Sequence, residues 1–207
     1  MFTILHQDKT GKARLGTLKT AHGEISTPCF MPVGTQGTVK ALTPEDLKDC
    51  GAEVLLSNAY HLFLRPGVEI IKKAGGLHKF ISWDRAILTD SGGYQVFSLA
   101  LLRKITDEGI SFQSHFDGAR HFLRPEDVIA NQLILGSDIM MPLDECVPYP
   151  CARDHAQVAM QRTLAWARRS HDAGRERQEQ LLFGIVQGAS YPDLRKQCAA
   201  QLIEIGF

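Results

Sequence analysis

Three residues far apart in the chain, Asp90, Asp144 and Gln187, stand where chemistry is expected. Each follows a short apolar run: Ala86-Ile87-Leu88-Thr89, Asp138-Ile139-Met140-Met141-Pro142-Leu143, and Leu181-Leu182-Phe183-Gly184-Ile185-Val186. Two carboxylates facing one ligand suit acid–base work or attack at an anomeric carbon. A carboxylate only accepts hydrogen bonds, whereas an amide both donates and accepts. Together they match a purine edge, the carboxylate taking N–H donors and the amide giving to a carbonyl. Gly92 and Gly93 after Asp90 allow the backbone to approach a ligand, and Tyr94 offers a ring for stacking on a flat base. The plainer readings are a helix cap or loop aspartate and a core aromatic at Tyr94.

For these residues to meet, the runs must be parallel strands in register, with their C-terminal ends on one rim. The pattern is consistent with that. Five apolar runs, at about 29–33, 53–56, 86–89, 138–143 and 181–186, alternate with helical segments. Thr43-Pro44-Glu45-Asp46 is a helix start with a box-like cap. Val68 to Ala74, Pro125 to Leu135, a long segment from Arg153 to Gln178, and Pro192 to Ile205 read as helices. Alternation of this kind predicts βαβ units. A five-stranded doubly wound sheet accommodates it, and so does a (β/α)8 barrel with three units still to come. Two stretches break the rhythm. Residues 1–28 read as β-hairpins, and residues 105–123, with the turn signal Asp117-Gly118, read as an antiparallel insertion.

Composition narrows the function classes. Twenty-three basic side chains balance 23 acidic ones over 207 residues, which argues against a generally basic nucleic-acid binder while leaving room for a local patch. No apolar run reaches the roughly 18 residues of a membrane span, and the first residues lack a secretory pattern. The five cysteines, Cys29, Cys50, Cys146, Cys151 and Cys198, form no C-x-x-C pair and read as reduced thiols of a cytoplasmic protein. His61, His78, His115 and His121 have no metal-ligand spacing and read as structural or surface residues. Arg162, Arg168, Arg169, Arg175 and Arg177 could meet phosphates, but Asp154, Asp172, Glu176 and Glu179 among them favour a solvated face. No glycine-rich nucleotide fingerprint follows any strand.

Several motifs carry a resemblance. Thr89-Asp90-Ser91-Gly92-Gly93-Tyr94-Gln95-Val96-Phe97-Ser98 resembles the signature of the tRNA-guanine transglycosylases. So do Met141-Pro142-Leu143-Asp144-Glu145-Cys146, Gly184-Ile185-Val186-Gln187-Gly188, Ser57-Asn58-Ala59-Tyr60-His61-Leu62 and Trp83-Asp84. The match follows nearly the whole chain and looks like the bacterial, queuosine branch. It implies a (β/α)8 TIM barrel with N-terminal hairpins and an antiparallel insertion, of which residues 1–207 make about five βα units. It implies exchange of guanine at the wobble position of tRNA for a 7-deazaguanine base by double displacement. By motif match, Asp90 is the catalytic general base. Ser91, Gly92, Gly93 and Tyr94 line the base pocket together with Asp90, and Asp144 and Gln187 grip the purine edge. The partners implied are tRNA, the base and a second copy of the full-length protein.

The resemblance is incomplete. The family's nucleophilic aspartate and its Cys/His zinc site lie in its C-terminal part, and no residue here matches them. The expectation is an N-terminal portion, inactive alone, whose zinc ligands lie elsewhere. The alternative is a truncated, non-catalytic paralogue or base-binding subunit that needs a partner chain.

Overall fold

A computed structural model describes residues 1–99, 102–175 and 179–207. Three sheets organise the described residues. The first is an antiparallel meander of β1 (Phe2–Gln7), β2 (Arg14–Thr20) and β3 (Gly23–Thr27). The second is parallel, built from β4 (Val54–Ser57), β5 (Ala86–Thr89), β9 (Ile139–Met140) and β10 (Leu181–Leu182) in the order β10-β9-β5-β4. Val33 extends it by a parallel bridge to Leu56. The five apolar runs therefore lie side by side in chain order, with no reversal of the kind that defines a doubly wound sheet. The first run contributes only the Val33 bridge, and the last two shorten to two residues each. The third sheet is the antiparallel β6 (Arg103–Thr106), β7 (Gly109–Gln113) and β8 (Arg120–Leu123).

Eight helices connect these strands among the described residues: α1 (Pro44–Asp49), α2 (Ala59–Leu64), α3 (Val68–Lys73), α4 (Leu77–Ile81), α5 (Gly93–Leu99), α6 (Pro125–Leu135), α7 (Arg153–Ala173) and α8 (Pro192–Ile205). Thr43 caps α1 as its sequence demands: its hydroxyl accepts from the Asp46 N–H at 3.1 Å, and the Asp46 carboxylate accepts from the Thr43 N–H at 2.8 Å. The long helix stops earlier than its periodicity suggests, at Ala173 with Gly174 as C-cap. Gln178, its expected end, lies outside the described residues, as does Arg177. Among the described residues no helix is long and apolar enough to cross a membrane.

The parallel strands are buried on both faces. Leu55 and Ile87 pack with Leu62, Ile71, Leu77, Trp83 and Leu135 on the helical side. Val54, Ala86, Leu88 and Ile139 pack with Ile25 of the meander on the other. The insertion sheet turns Ile110, Phe112 and Leu123 against Tyr60, Val96, Leu143 and Trp166. Arg162 and Arg169 of α7 serve the fold, while Arg168 is exposed. Arg162 pairs with Asp107 and Glu145, Arg169 with Glu126, and Arg175, just past its end, with Asp172.

One buried charge ties three segments together. Asp138, just before β9, is 1% exposed. One carboxylate oxygen accepts from the His22 N–H at 3.1 Å and from His22 Nδ1 at 2.9 Å. The other accepts from His78 Nε2 at 3.1 Å and the Ile87 N–H at 2.9 Å. Burial works against ionisation, but the hydrogen bonds from His78, Ile87 and His22 outweigh it and hold the carboxyl at about 2. His78, whose spacing in the sequence gave no metal-ligand pattern, is thus drawn into a buried polar cluster. Its partners, His22 and Asp138, are distant in sequence.

Candidate functional site

Asp90 sits where β5 ends, its N–H donating to the Ser57 carbonyl of β4 at 3.2 Å. One carboxylate oxygen accepts from the Ala59 N–H, at the start of α2, at 2.9 Å. The other accepts from the Asn58 side-chain amide and from Gln95 Nε2, the latter at 2.8 Å. Burial pushes the Asp90 carboxyl up, and the hydrogen bonds from Asn58, Ala59, Gln95 and Gly92 pull it only part of the way back. The result is a carboxyl raised above its ordinary value and held by amide donors, the condition expected of a group that exchanges a proton with a bound ligand.

Asp144 lies beyond the end of β9 and is 5% exposed. The Ser91 hydroxyl donates to one of its carboxylate oxygens at 2.6 Å, and Gln187 Nε2 donates to the other at 2.7 Å. The Cys146 thiol lies 3.6 Å from that second oxygen. Burial, reinforced by the Asp144 charge, pushes the thiol up to about 12. Cys146 is a protonated donor at neutral pH and no nucleophile. Gln187 reaches the carboxylate from the segment after β10, and its backbone N–H donates to Cys198 Sγ of α8 at 3.3 Å.

Ser91 joins the two halves of the site. It follows Asp90 directly, donates to Asp144, and accepts from the Gly93 N–H at 3.0 Å. Gly93 has no room for a side chain. A Cβ there would lie 2.5 Å from the Asp144 carbonyl and 2.7 Å from its carboxylate. Gly92 has φ +79°, and a Cβ there would lie 3.2 Å from Tyr60 Cβ. Gly93→Ala is expected to displace the Asp144 carboxylate. Affinity for a purine base should fall at least about tenfold, the worth of one well-made charged hydrogen bond. Equilibrium binding of guanine checks this, and an affinity equal to wild type would show that Asp144 does not hold the base.

Asp90, Ser91, Gly92, Gly93, Asp144 and Gln187 thus converge at the C-terminal ends of adjacent parallel strands. Tyr94 stands apart. It is 61% exposed on α5, outside the core, with its ring 6.4 Å from Phe97. The sequence reading passed over Asn58 and Gln95, the amides that grip Asp90. Asn58 had a usable signal, since it follows β4 as Asp90 follows β5. Gln95 had none, because nothing local marks the turn of α5 that aims it inward.

The Cys/His zinc set of the resembling family has no counterpart among the described residues. One group among them has donor atoms close enough for a metal: His22, His78 and Asp138. It contains no thiolate. Its imidazoles stack with centroids 3.7 Å apart and planes 18° apart, so each ring directs its nitrogen at its own carboxylate oxygen. This is a hydrogen-bonded clamp, and no chemical step is assigned to a metal there.

Comparison with known proteins shows the family of the chain. The family model described as Queuine tRNA-ribosyltransferase matches residues 8–207. A queuine tRNA-ribosyltransferase of Thermoanaerobacter pseudethanolicus is 59% identical over 206 residues, covering 100% of this chain and 55% of the relative. Those of Caldanaerobacter subterraneus and Pelotomaculum thermopropionicum are 57% and 56% identical, with the same coverage. The chain spans about half the length of the curated relatives it matches. With the matched residues running through every strand end of the site, the chain belongs to the queuine tRNA-ribosyltransferase, or tRNA-guanine transglycosylase, family.

Proposed function

We propose that these residues form the base-handling half of a tRNA-guanine transglycosylase site, which exchanges guanine at the wobble position for a 7-deazaguanine base. The observation that carries this reading is the Ser91–Asp144–Gln187 cluster beside the half-buried, amide-held Asp90. Guanine presents N1–H and amino donors beside a carbonyl acceptor. Asp144 accepts from the donors, and the Gln187 amide, which donates to Asp144 in this structure, turns its N–H to the carbonyl. Ser91 and Gly93 fix the carboxylate while this happens. Asp90 takes the proton that the incoming base loses when it attacks the ribose. Tyr94, at the rim, stacks on the base or on a neighbouring nucleotide.

A covalent ribosyl intermediate requires a carboxylate nucleophile. We assign that role to none of Asp84, Asp90, Asp138 or Asp144, and place it in the part of the longer relatives that this chain does not span. The zinc site belongs there too. The side-by-side, chain-ordered strands support a (β/α)8 barrel, of which residues 1–207 supply about five units after the 1–28 hairpins, with 105–123 as an insertion. A cytoplasmic homodimer of the longer protein is part of the same proposal. Release of labelled guanine from tRNA by the full-length protein, with incorporation of a 7-deazaguanine base, is the expected result. A full-length protein that binds guanine but releases none from tRNA would favour the second reading, a base-binding subunit.

A further inference from the structure

The chain has no net charge, and the structure neutralises most of its clustered cations. On α7, Arg153 pairs with Asp193, Arg162 with Asp107 and Glu145, and Arg169 with Glu126. The insertion sheet is different. Arg103, Lys104 and Arg120 are exposed, and none has an ion-pair partner among the described residues. They line a groove of about 540 Å³ that holds no carboxylate. Lys104, Ser111 and Phe122 lie in register across the three strands, as do Gln113 and Arg120. Phe122 is 47% exposed there. A sheet that sets a bare aromatic ring between unpaired cations has the surface chemistry of a single-stranded nucleic-acid platform: ring faces for bases, cations for phosphates.

This surface is continuous with the pocket. Arg103 stacks over the Phe97 ring, its guanidinium carbon 4.6 Å from the ring centroid, and donates to the Phe97 carbonyl. Phe97 is in turn the ring partner of Tyr94 at the rim. Tyr94, Phe97 and Arg103 thus form a row of flat groups leading from the start of α5, just after Asp90, to the first strand of the insertion sheet. The sheet's inner face is anchored to the same site. Tyr60, which follows Asn58 and Ala59 on α2, meets His115 of the β7–β8 connection at 2.9 Å between its hydroxyl and Nδ1.

We propose that the β6–β8 insertion, with Lys104, Arg120 and Phe122 on its outer face and Arg103 at its side beside Phe97, is a docking surface for the single-stranded RNA that flanks the nucleotide held in the pocket. The inference rests on the proposed function for the identity of that RNA, the anticodon loop of tRNA. It adds a positioning surface within residues 1–207 to the base-handling cluster. Tyr94 and Phe97 stack on bases near the exchanged one, and the three cations contact phosphates farther along the strand.

The test uses the full-length protein and two probes, unmodified tRNA and the isolated anticodon stem-loop RNA. A triple variant, Arg103→Ala, Lys104→Ala and Arg120→Ala, is expected to bind both at least tenfold more weakly near 0.15 M salt. Its slope of log affinity against log salt should be shallower by about 2, since each single-strand phosphate contact contributes about 0.7. Guanine affinity and melting temperature should stay at wild-type values. Phe122→Ala should weaken RNA binding several-fold with the salt slope unchanged, which separates stacking from charge. RNA affinity and salt slope unchanged in the triple variant would overturn the proposal, whatever the exchange activity. Loss of RNA binding in that variant, in a wild-type protein that binds RNA but exchanges no guanine, would uphold this surface and reject the transglycosylase reading instead.

Discussion

Asp90→Asn in the full-length protein is expected to lower guanine exchange by roughly a hundred- to ten-thousandfold, the span of a positioned general base, with a much smaller change in guanine affinity. The reason lies in the division of labour at the site. The base is gripped by Asp144 and Gln187, which the substitution leaves alone. Asp90 is surrounded by donors, from Asn58, Ala59 and Gln95, that orient a carboxylate and leave it free to take a proton. An asparagine keeps the shape and loses the basicity. Turning over the Gln95 amide would present its Oε1, a buried acceptor with no partner, to the new side-chain amide, so the site tolerates the change. Single-turnover exchange rates measure this effect, and a variant retaining a tenth or more of wild-type activity would remove Asp90 from the role of base.

The same substitution has a stability signature. The native Asp90 carboxyl is raised above 3.8 by burial, against the partial opposition of its hydrogen bonds. The folded protein therefore holds this proton to a higher pH than the unfolded chain does. Wild type has its advantage from this group at acid pH and loses it as pH climbs from 3.8 through the raised native value. The substituted asparagine has no charge to bury, so the variant should gain on wild type over that interval. Denaturant melts at acid and neutral pH check the sign. A variant that loses stability relative to wild type as pH rises would contradict it.

The second large effect is on folding. Asp138→Ala is expected to cost about 3–5 kcal/mol, the usual result of breaking a buried charged network. For a protein of this size that is on the order of 10 °C in melting temperature. Four hydrogen bonds converge on this carboxylate. Its removal leaves the Ile87 N–H of β5 without its acceptor in the sheet interior. The His22 turn is released from the strand at the same time. His22 is the more exposed partner, its side chain 40% accessible against 13% for His78. His22→Ala should therefore cost only about 1 kcal/mol, a single partly solvated hydrogen bond. Chemical denaturation gives both numbers, and an Asp138→Ala protein within about 1 kcal/mol of wild type would show that the clamp is not what ties the meander to the parallel sheet.

How far the sequence reaches depends on the range of the forces involved. The helix starts at Thr43-Pro44 and Pro125, and the stops at Gly136 and Gly206, are set by atoms within a few residues, and the structure has them in place. The apolar runs name strands for the same reason, since burial on both faces demands continuous Val, Ile and Leu. Asp90, Asp144 and Gln187 are legible because a polar residue ending such a run must emerge at a strand end. Tertiary structure decided the rest. Chain-ordered pairing of the strands, and with it the choice against a doubly wound sheet, depends on how the crossovers pack, which no window of sequence contains. The hydrogen bonds from Ser91 and Gln187 to Asp144 span 53 and 43 residues, and the His22 and His78 bonds to Asp138 span 116 and 60. Side chains with no local reason to be charged, capped or exposed take their roles from partners that only the fold delivers. Arg153, Arg162 and Arg169 of α7 became structural because carboxylates of other elements arrived beside them, and Arg103, Lys104 and Arg120 have no ion pair among the described residues because none did.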